Sequence, residues 1–337
     1  MKKMSCIRKE FFNTFLNLTF VLLFFSIGCA QNNNISKNKE LQFYPQSFKE
    51  LPDIPSPGTL ENGIEVIVAH TKDNEFTIIP VTVENGEPHN YEKGQWGKGN
   101  QFEVNSQDFP GLANTGLHSD IELNEVSTIG GRSLADITKN GQPGIMSTEG
   151  FMASNEDIIS VLKGDNALVK RLGLTHPQLA NPLFNIFNLI LVHRKYYLGK
   201  IRPYEDIDYI IYNGGKIYLQ WGGAKGWQRS IFNDNILGYY EINIWIELNH
   251  EEIAYLNGKY SYLNDEQMKE LMTKLSHIHT GEMVPYYIMK YGFYEGHTAW
   301  RADPIAISFI FGIKSLSEID RLLDNDLYTS LIQHYTK

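Results

Sequence analysis

One stretch of the chain, residues 277–303, holds the densest collection of side chains that can do acid–base chemistry. Its histidines, carboxylates and arginine alternate with tyrosines, one tryptophan and three glycines that predict turns. Histidine and carboxylate groups act as general acids and bases, and catalytic groups concentrate in loops at the ends of regular elements. We therefore expect any catalytic site to lie here. The candidate residues are His279, Glu282, Glu295, His297 and Asp303.

The same stretch has other interpretations, as a metal site or as ordinary structure. His277 and His279 are two positions apart, so at the end of a helix they point to nearly opposite sides and chelate together only if the segment is extended. His250 lacks the second histidine four positions later that a helical zinc site needs. Asp303 directly precedes Pro304, which is typical of a helix N-cap. We predict no metal and no cofactor, and we expect Asp303 to cap a helix.

The aromatic residues of the chain indicate a different function, which is ligand binding. Trp221, Trp227 and Trp300 lie in stretches bounded by glycines, with many tyrosines nearby. Aromatic rings in open loops provide flat faces for sugar rings or peptide side chains. These three tryptophans are the binding candidates, and the competing interpretation is that most of the rings belong to the core.

The N-terminal segment has the three-part pattern of a secretory signal peptide. A basic start is followed by an apolar run at residues 18–25 and then by small residues. The apolar stretch is short for a membrane span, and polar residues interrupt it. Ser26-Ile27-Gly28-Cys29 resembles the lipobox of bacterial lipoproteins, with Ser26 where Leu is usual. The resemblance implies cleavage before Cys29 and acylation of that cysteine.

Processing at Cys29 would determine which chemistry the mature chain can use. Cys6 lies in the cleaved segment, so Cys29 is the only cysteine left. That excludes an internal disulfide, a Cys-ligated metal and thiol catalysis in the folded body. Acyl chains contribute about 0.8 kcal/mol per buried CH₂, and two or three of them give a stable anchor.

The predicted organisation has three parts. Residues 1–28 are the signal peptide, residues 29–57 a lipidated, proline-bearing tether, and residues 58–337 a globular body with a sub-boundary near 150. We expect the protein in the bacterial cell envelope, with the outer membrane favoured over the inner.

Net charge excludes one class of partner. The whole chain has a formal charge of −9, and residues 1–28 carry four basic residues and one acidic residue. Subtracting their net +3 from −9 gives −12 for the mature chain. A protein that binds the phosphate backbone needs a basic face, so we predict no nucleic-acid partner. The expected partners are the membrane, through the acyl chains on Cys29, and a glycan or a protein.

Hydrophobic periodicity in the body predicts an α+β fold. Two strands joined at residues 72–74 come first, and an irregular region at 105–150 follows. A helix is expected to end at Gly164, a buried helix to follow Thr175, and a glycine loop to occupy 221–227 between a hairpin and a strand at 241–248. The fold class is thus an N-terminal β-rich part followed by a mainly helical part with an inserted hairpin and strand group. Further helices are expected to begin at Asn249, Asn264, Asp303, Ser315 and Asn325.

Two hypotheses about function follow from the sequence. The first is a binding or accessory module of the cell envelope. The second is a lipid-anchored hydrolase that acts on a glycan or envelope polymer, for which two carboxylates at a fixed separation are the minimum equipment. Convergence of the 277–303 candidates in a cleft lined by Trp221 or Trp300 would favour the hydrolase, and capping roles for them would oppose it.

Overall fold

A computed structural model describes residues 57–59, 65–74, 76–80, 105–196 and 207–332. The predicted signal peptide, the lipobox with Cys29, and residues 29–56 of the predicted tether lie outside the described residues. The described residues all belong to the compact unit Gln46–Lys337. Helices and strands in this part confirm the α+β class.

An antiparallel sheet lies at the centre of the described body. The described strands are β1 (Gly58–Thr59), β2 (Glu65–Thr71), β3 (Phe76–Pro80), β4 (Thr128–Ile129), β5 (Arg132–Ser133), β6 (Ile207–Tyr212), β7 (Gly215–Arg229), β8 (Leu237–Trp245) and β9 (His277–Gly281). In the sheet, β2 pairs with β1, β3 and β6, and the order continues through β7, β8 and β9. A separate two-stranded ribbon is formed by β4 and β5. The sheet thus joins strands from both sides of the predicted sub-boundary near residue 150.

The helices pack against this sheet and against each other. In chain order the described helices are α1 (Pro110–Thr115), α2 (Asp120–Glu125), α3 (Leu134–Gly141), α4 (Ile158–Arg171), α5 (His176–Tyr196), α6 (His250–Lys259), α7 (Asp265–Ser276), α8 (Val284–Tyr291), α9 (Pro304–Ile310), α10 (Leu316–Leu322) and α11 (Leu327–Leu331). Capping boxes begin α6 at Asn249, α7 at Asn264 and α10 at Ser315, which confirms the predicted starts. Helix α11 is capped by Asp326, one residue after the predicted Asn325.

Turn residues account for the two hairpins that the sequence predicts. Asn74 follows β2 with a φ of 64°, a left-handed conformation that asparagine tolerates better than most residues. Asn213 and Gly214 connect β6 to β7 with φ values of 47° and 80°. Two successive positive φ angles are what a type I′ hairpin turn requires. Both predicted hairpins are therefore confirmed.

Three predictions about local structure are wrong. Gly164 lies inside α4, which continues to Arg171, because packing of the helix outweighs the cost of one glycine, about 1 kcal/mol. The region 105–150 contains three helices and the β4–β5 ribbon instead of being irregular. The predicted glycine loop at 221–227 is part of β7: Gly223 pairs with Tyr240, and a Cβ at Gly223 would come 2.6 Å from the ring of Tyr239.

One long helix runs through the core, as its apolar sequence predicts. Leu179, Leu183, Ile186 and Phe187 of α5 are all buried. A helix that is apolar on nearly all sides is stable only inside a domain. Within the described ranges, no helix combines the length and the apolar character needed to cross a bilayer.

Candidate functional site

The histidines of the 277–303 stretch lie on a strand. His277 and His279 belong to β9 and share one face, so the segment adopts the extended alternative and not the helix end. His277 Nε2 is 3.2 Å from Asn243 Oδ1, and His279 Nε2 is 4.0 Å from Glu241 Oε2. Burial lowers the pKa of both histidines, and the charge of Glu241 opposes that change at His279. Among the described residues, no three His, Cys, Asp or Glu side chains are grouped so as to hold a metal ion.

A cavity of about 270 Å³ opens next to the end of β9. It brings together three of the predicted site residues, Glu282, Glu295 and Trp300. Glu241, on the polar face of β8, contributes a further carboxylate that the sequence interpretation did not select. Its alternation with the buried Ile242 was the only signal in the sequence, and that signal fits any solvated strand face. The aromatic members of the lining are Phe151, Tyr239, Tyr240 and Trp300.

The carboxylate of Glu282 is fixed by the backbone of β8. Its Oε2 accepts hydrogen bonds from the N–H groups of Tyr239, at 2.7 Å, and Tyr240, at 3.0 Å. In return, the N–H of Glu282 donates to the carbonyl of Tyr240 at 2.9 Å. Charge-assisted hydrogen bonds of this type stabilise an ionised carboxylate. The backbone of β8 therefore holds the Glu282 carboxyl group at the wall of the cavity and favours its ionised form.

Glu295 lines the same cavity in a very different environment. Its side chain is only 5% exposed, and its carboxyl makes no hydrogen bond or ion pair with any described residue. Burial raises the pKa of Glu295 well above the ordinary value of a glutamate. This environment favours the protonated acid, which can donate a hydrogen bond or a proton into the cavity.

The backbone of Glu295 is held in an unusual conformation. Its φ is +60°, in the left-handed region, which costs a residue with a side chain about 1–3 kcal/mol unless its surroundings fix it. Arg301 Nη1 donates to the carbonyl of Glu295 at 2.8 Å, and the N–H of Gly296 donates to the carbonyl of Phe151 at 2.7 Å. These bonds fix the turn that directs the Glu295 side chain to the cavity.

A buried polar network supports the segment that leads into Glu295. His176 Nδ1 is 3.0 Å from the hydroxyl of Tyr294, and His176 Nε2 is 3.1 Å from Asn166 Oδ1. His118 Nε2 lies 2.8 Å from the carbonyl of Tyr291. Burial lowers the pKa of both histidines, and that of His176 falls well below its ordinary value. The neutral histidines therefore serve here as structural hydrogen-bonding groups.

The three predicted tryptophans lie in different environments. Trp300 lines the cavity, and its ring centre is 4.1 Å from that of His279. Trp227 is 54% exposed and packs against Tyr239, whose ring centre is 5.1 Å away and which itself lines the cavity. Trp221 is only 9% exposed and belongs to the hydrophobic core. Two of the three rings thus lie in or beside the cavity.

The other two candidates, His297 and Asp303, face a second cavity of about 480 Å³. His297 Nδ1 forms a short contact with Glu156. Burial acts to raise the pKa of Glu156, but hydrogen bonds from His297 and from the backbone of Ala153 leave it lowered. Asp303 caps α9 by accepting from the N–H of Ile305 at 2.8 Å, which confirms the predicted cap.

A buried ion cluster in the second cavity was missed by the sequence interpretation. Arg301 Nη2 is 2.6 Å from Asp165 Oδ1, and Arg301 Nε is 3.1 Å from Asp303 Oδ2. Burial raises the pKa of Asp165, and the charge of Arg301 opposes the rise. Asp165 and Arg301 are 136 positions apart, and no local pattern links them.

In comparisons with known proteins, no family model, curated protein or solved structure matches the chain. The functional interpretation of the chain therefore rests on its own side chains.

Proposed function

We propose that this chain is a lipid-anchored protein of the bacterial cell envelope whose body binds a ligand in the cavity between Glu282, Glu295 and Trp300. One observation supports the binding role above all others: an aromatic face and two differently held carboxyl groups converge in one cavity. Ring faces accept the apolar side of a sugar or a peptide side chain, and the carboxyl groups fix its orientation.

The size of the cavity limits what it can hold. Pockets for drug-sized ligands measure about 300–1,000 Å³, and this cavity measures about 270 Å³. It therefore accommodates one sugar ring or one side chain of a longer partner. The exposed Trp227 next to Tyr239 offers a contact for the neighbouring unit of that partner.

A binding screen with a matched tryptophan pair tests this function. The full chain, purified in mild detergent, is applied to oligosaccharide and peptide arrays together with the variants Trp300→Ala and Trp245→Ala. Trp245 stacks on Tyr218 at 5.7 Å and does not line the cavity. Ligands of the cavity should lose binding in Trp300→Ala and keep it in Trp245→Ala. Binding that is equal in both variants would refute the assignment of the site.

The anchor is tested with the two cysteines as a pair. The Ser26-Ile27-Gly28-Cys29 sequence supports acylation at Cys29, whereas Cys6 lies in the segment to be removed. We expect Cys29→Ala to abolish incorporation of labelled fatty acid and sedimentation with membranes, and Cys6→Ala to change neither. Undiminished labelling of Cys29→Ala would contradict the anchor.

A hydrolase is the second candidate, because the two carboxyl groups occupy contrasting environments. Glu295 is buried without a partner, which favours the protonated acid, while Glu282 accepts two backbone hydrogen bonds, which favour the carboxylate. Pairs of carboxyl groups held in opposite protonation states carry out glycoside hydrolysis. In this scheme Glu295 donates a proton to the leaving oxygen and Glu282 supplies the negative charge.

Product analysis separates the hydrolase from the binding module. Any oligosaccharide found in the screen is incubated with the wild-type chain and with Glu295→Gln. A hydrolase would release shorter products, and loss of its general acid would slow the release about 10²–10⁴-fold. A ligand that binds and is recovered intact would exclude the hydrolase and leave the binding role in place.

A further inference from the structure

The ionisable residues that line the cavity are acidic. They are Glu149, Glu241, Glu282 and Glu295. No lysine, arginine or histidine is among the described residues of the lining. A ligand with a carboxylate or phosphate would meet acidic side chains and no described basic side chain here, so the cavity disfavours anions.

Glu295 provides an independent reason to expect a positively charged group. It is 95% buried and faces the cavity without a hydrogen-bonding partner among the described residues. A buried carboxyl group without a partner is costly, and a ligand that supplies an N–H donor with a positive charge removes that cost. The guanidinium of Arg301 is directed to Asp165, Asp303 and the backbone of Glu295.

Aromatic rings around the cavity fit the same kind of group. Trp300, Tyr239, Tyr240 and Phe151 contribute to its lining. A cation near the face of an aromatic ring is attracted by the negative charge of the π system, most strongly for tryptophan and in desolvated sites. Carboxyl groups and aromatic rings, without a positively charged side chain in the described lining, form a binding site for organic cations.

We propose that the ligand inserts an ammonium group into this cavity, next to Glu295 and the ring of Trp300. The inference rests on the proposed binding function and narrows its ligand class to primary amines on a compact carrier. A glucosamine unit and a lysine side chain are two sources of that chemistry that fit a cavity of about 270 Å³.

Matched amine and amide ligands test the inference. Calorimetric titration of the full chain uses a glucosamine tetrasaccharide against its N-acetylated form, and a lysine peptide against its N-acetyl-lysine form. Each pair differs only in the charge and acetylation of the amine. The variants are Glu295→Gln, which keeps the size of the side chain, and the control Glu251→Gln, which changes an exposed glutamate in the first turn of α6.

The expected result is that an amine ligand binds at least tenfold more tightly than its acetylated partner. Glu295→Gln should reduce that preference to about threefold or less, and Glu251→Gln should keep it. The pair that shows the preference identifies the source of the amine.

Two results would overturn the inference, and they differ in whether the proposed binding function survives. If amine and acetylated ligands bind equally and Trp300→Ala abolishes binding of both, the cavity is a binding site for neutral ligands. If none of the four probes binds, or if binding is unaffected by Trp300→Ala, the ammonium inference fails and the proposed binding function loses its support as well.

Discussion

Replacement of Arg301 by methionine should destabilise the fold more than any change to a surface ion pair. Methionine keeps most of the length of the side chain and removes its charge and donors. Arg301 contacts Asp165 at 2.6 Å and Asp303 at 3.1 Å, and the three side chains are between 3% and 8% exposed. Removal of the guanidinium therefore strands two carboxylates away from water.

The magnitude follows from burial. Breaking a buried ion pair by removing one partner costs about 3–5 kcal/mol, because the remaining charge stays buried without compensation. Protonation of one aspartate relieves part of that cost, so we expect a loss of about 4 kcal/mol in the free energy of unfolding. With a urea m value of about 3 kcal/mol/M, the unfolding midpoint should fall by about 1.3 M.

Arg171 provides the matched control. Its Nη2 lies 2.7 Å from Asp324 Oδ2, almost the same distance as in the buried pair, but the two side chains are 40% and 87% exposed. Exposed pairs contribute about 0–1 kcal/mol, so Arg171→Met should shift the midpoint by at most about 0.3 M.

Urea unfolding of the full chain, followed by tryptophan fluorescence, gives the two midpoints. The double variant Arg301→Met with Asp165→Asn should regain part of the loss, since it removes one stranded charge. Equal shifts for Arg301→Met and Arg171→Met would show that burial does not determine the contribution of the Arg301 cluster, and the reasoning would be wrong.

Three further predictions concern groups that the fold holds in unusual states. Burial raises the pKa of Glu295, so the stability that its protonated form contributes is fully present below about pH 4.5 and is lost as pH rises through the folded pKa. The urea midpoint of Glu295→Gln should therefore exceed that of the wild type at pH 8 and equal it at pH 4.5. Burial lowers the pKa of His176, so its contribution to the free energy of unfolding should be fully present above about pH 6.5 and should fall by up to about 1.4 kcal/mol per pH unit below it. Urea midpoints measured from pH 7.5 to pH 5 should show this fall, and His176→Gln should reduce their dependence on pH. Gly292→Ala should lower the thermal midpoint more than Gly173→Ala, because both glycines have φ near 65° but only at Gly292 would a Cβ meet another group, 2.7 Å from His118 Nε2; equal midpoints would mean that the neighbouring histidine moves freely.

Local patterns in the sequence predicted the starts of several helices correctly. The caps at Asn249, Asn264, Asp303 and Ser315 were readable because the interacting groups are two or three residues apart. The predicted helix end at Gly164 was wrong because it rested on one residue, whereas the helix α4 continues beyond Gly164 through packing with distant parts of the chain.

Contacts between distant segments could be predicted only in part from the sequence. Glu282 and Glu295 were selected as catalytic candidates and Trp300 as a binding candidate, all from one short stretch, but the backbone N–H groups of Tyr239 and Tyr240 that fix Glu282 come from β8. Side chains of the same stretch line separate cavities, since the turn after Gly296 brings His297 to Glu156. The alternation of residue types along this stretch does not predict the turn that separates His297 from Glu295.

The left-handed backbone at position 295 has a consequence for how this protein responds to selection. Glycine adopts a φ of +60° without cost and would also remove a buried carboxyl group, so Glu295→Gly should stabilise the fold while it removes the group proposed to contact the ligand. A library screened for thermal stability alone should therefore enrich glycine at this position, and a library screened for ligand binding should reject it. At position 295, stability and ligand binding are thus expected to oppose each other.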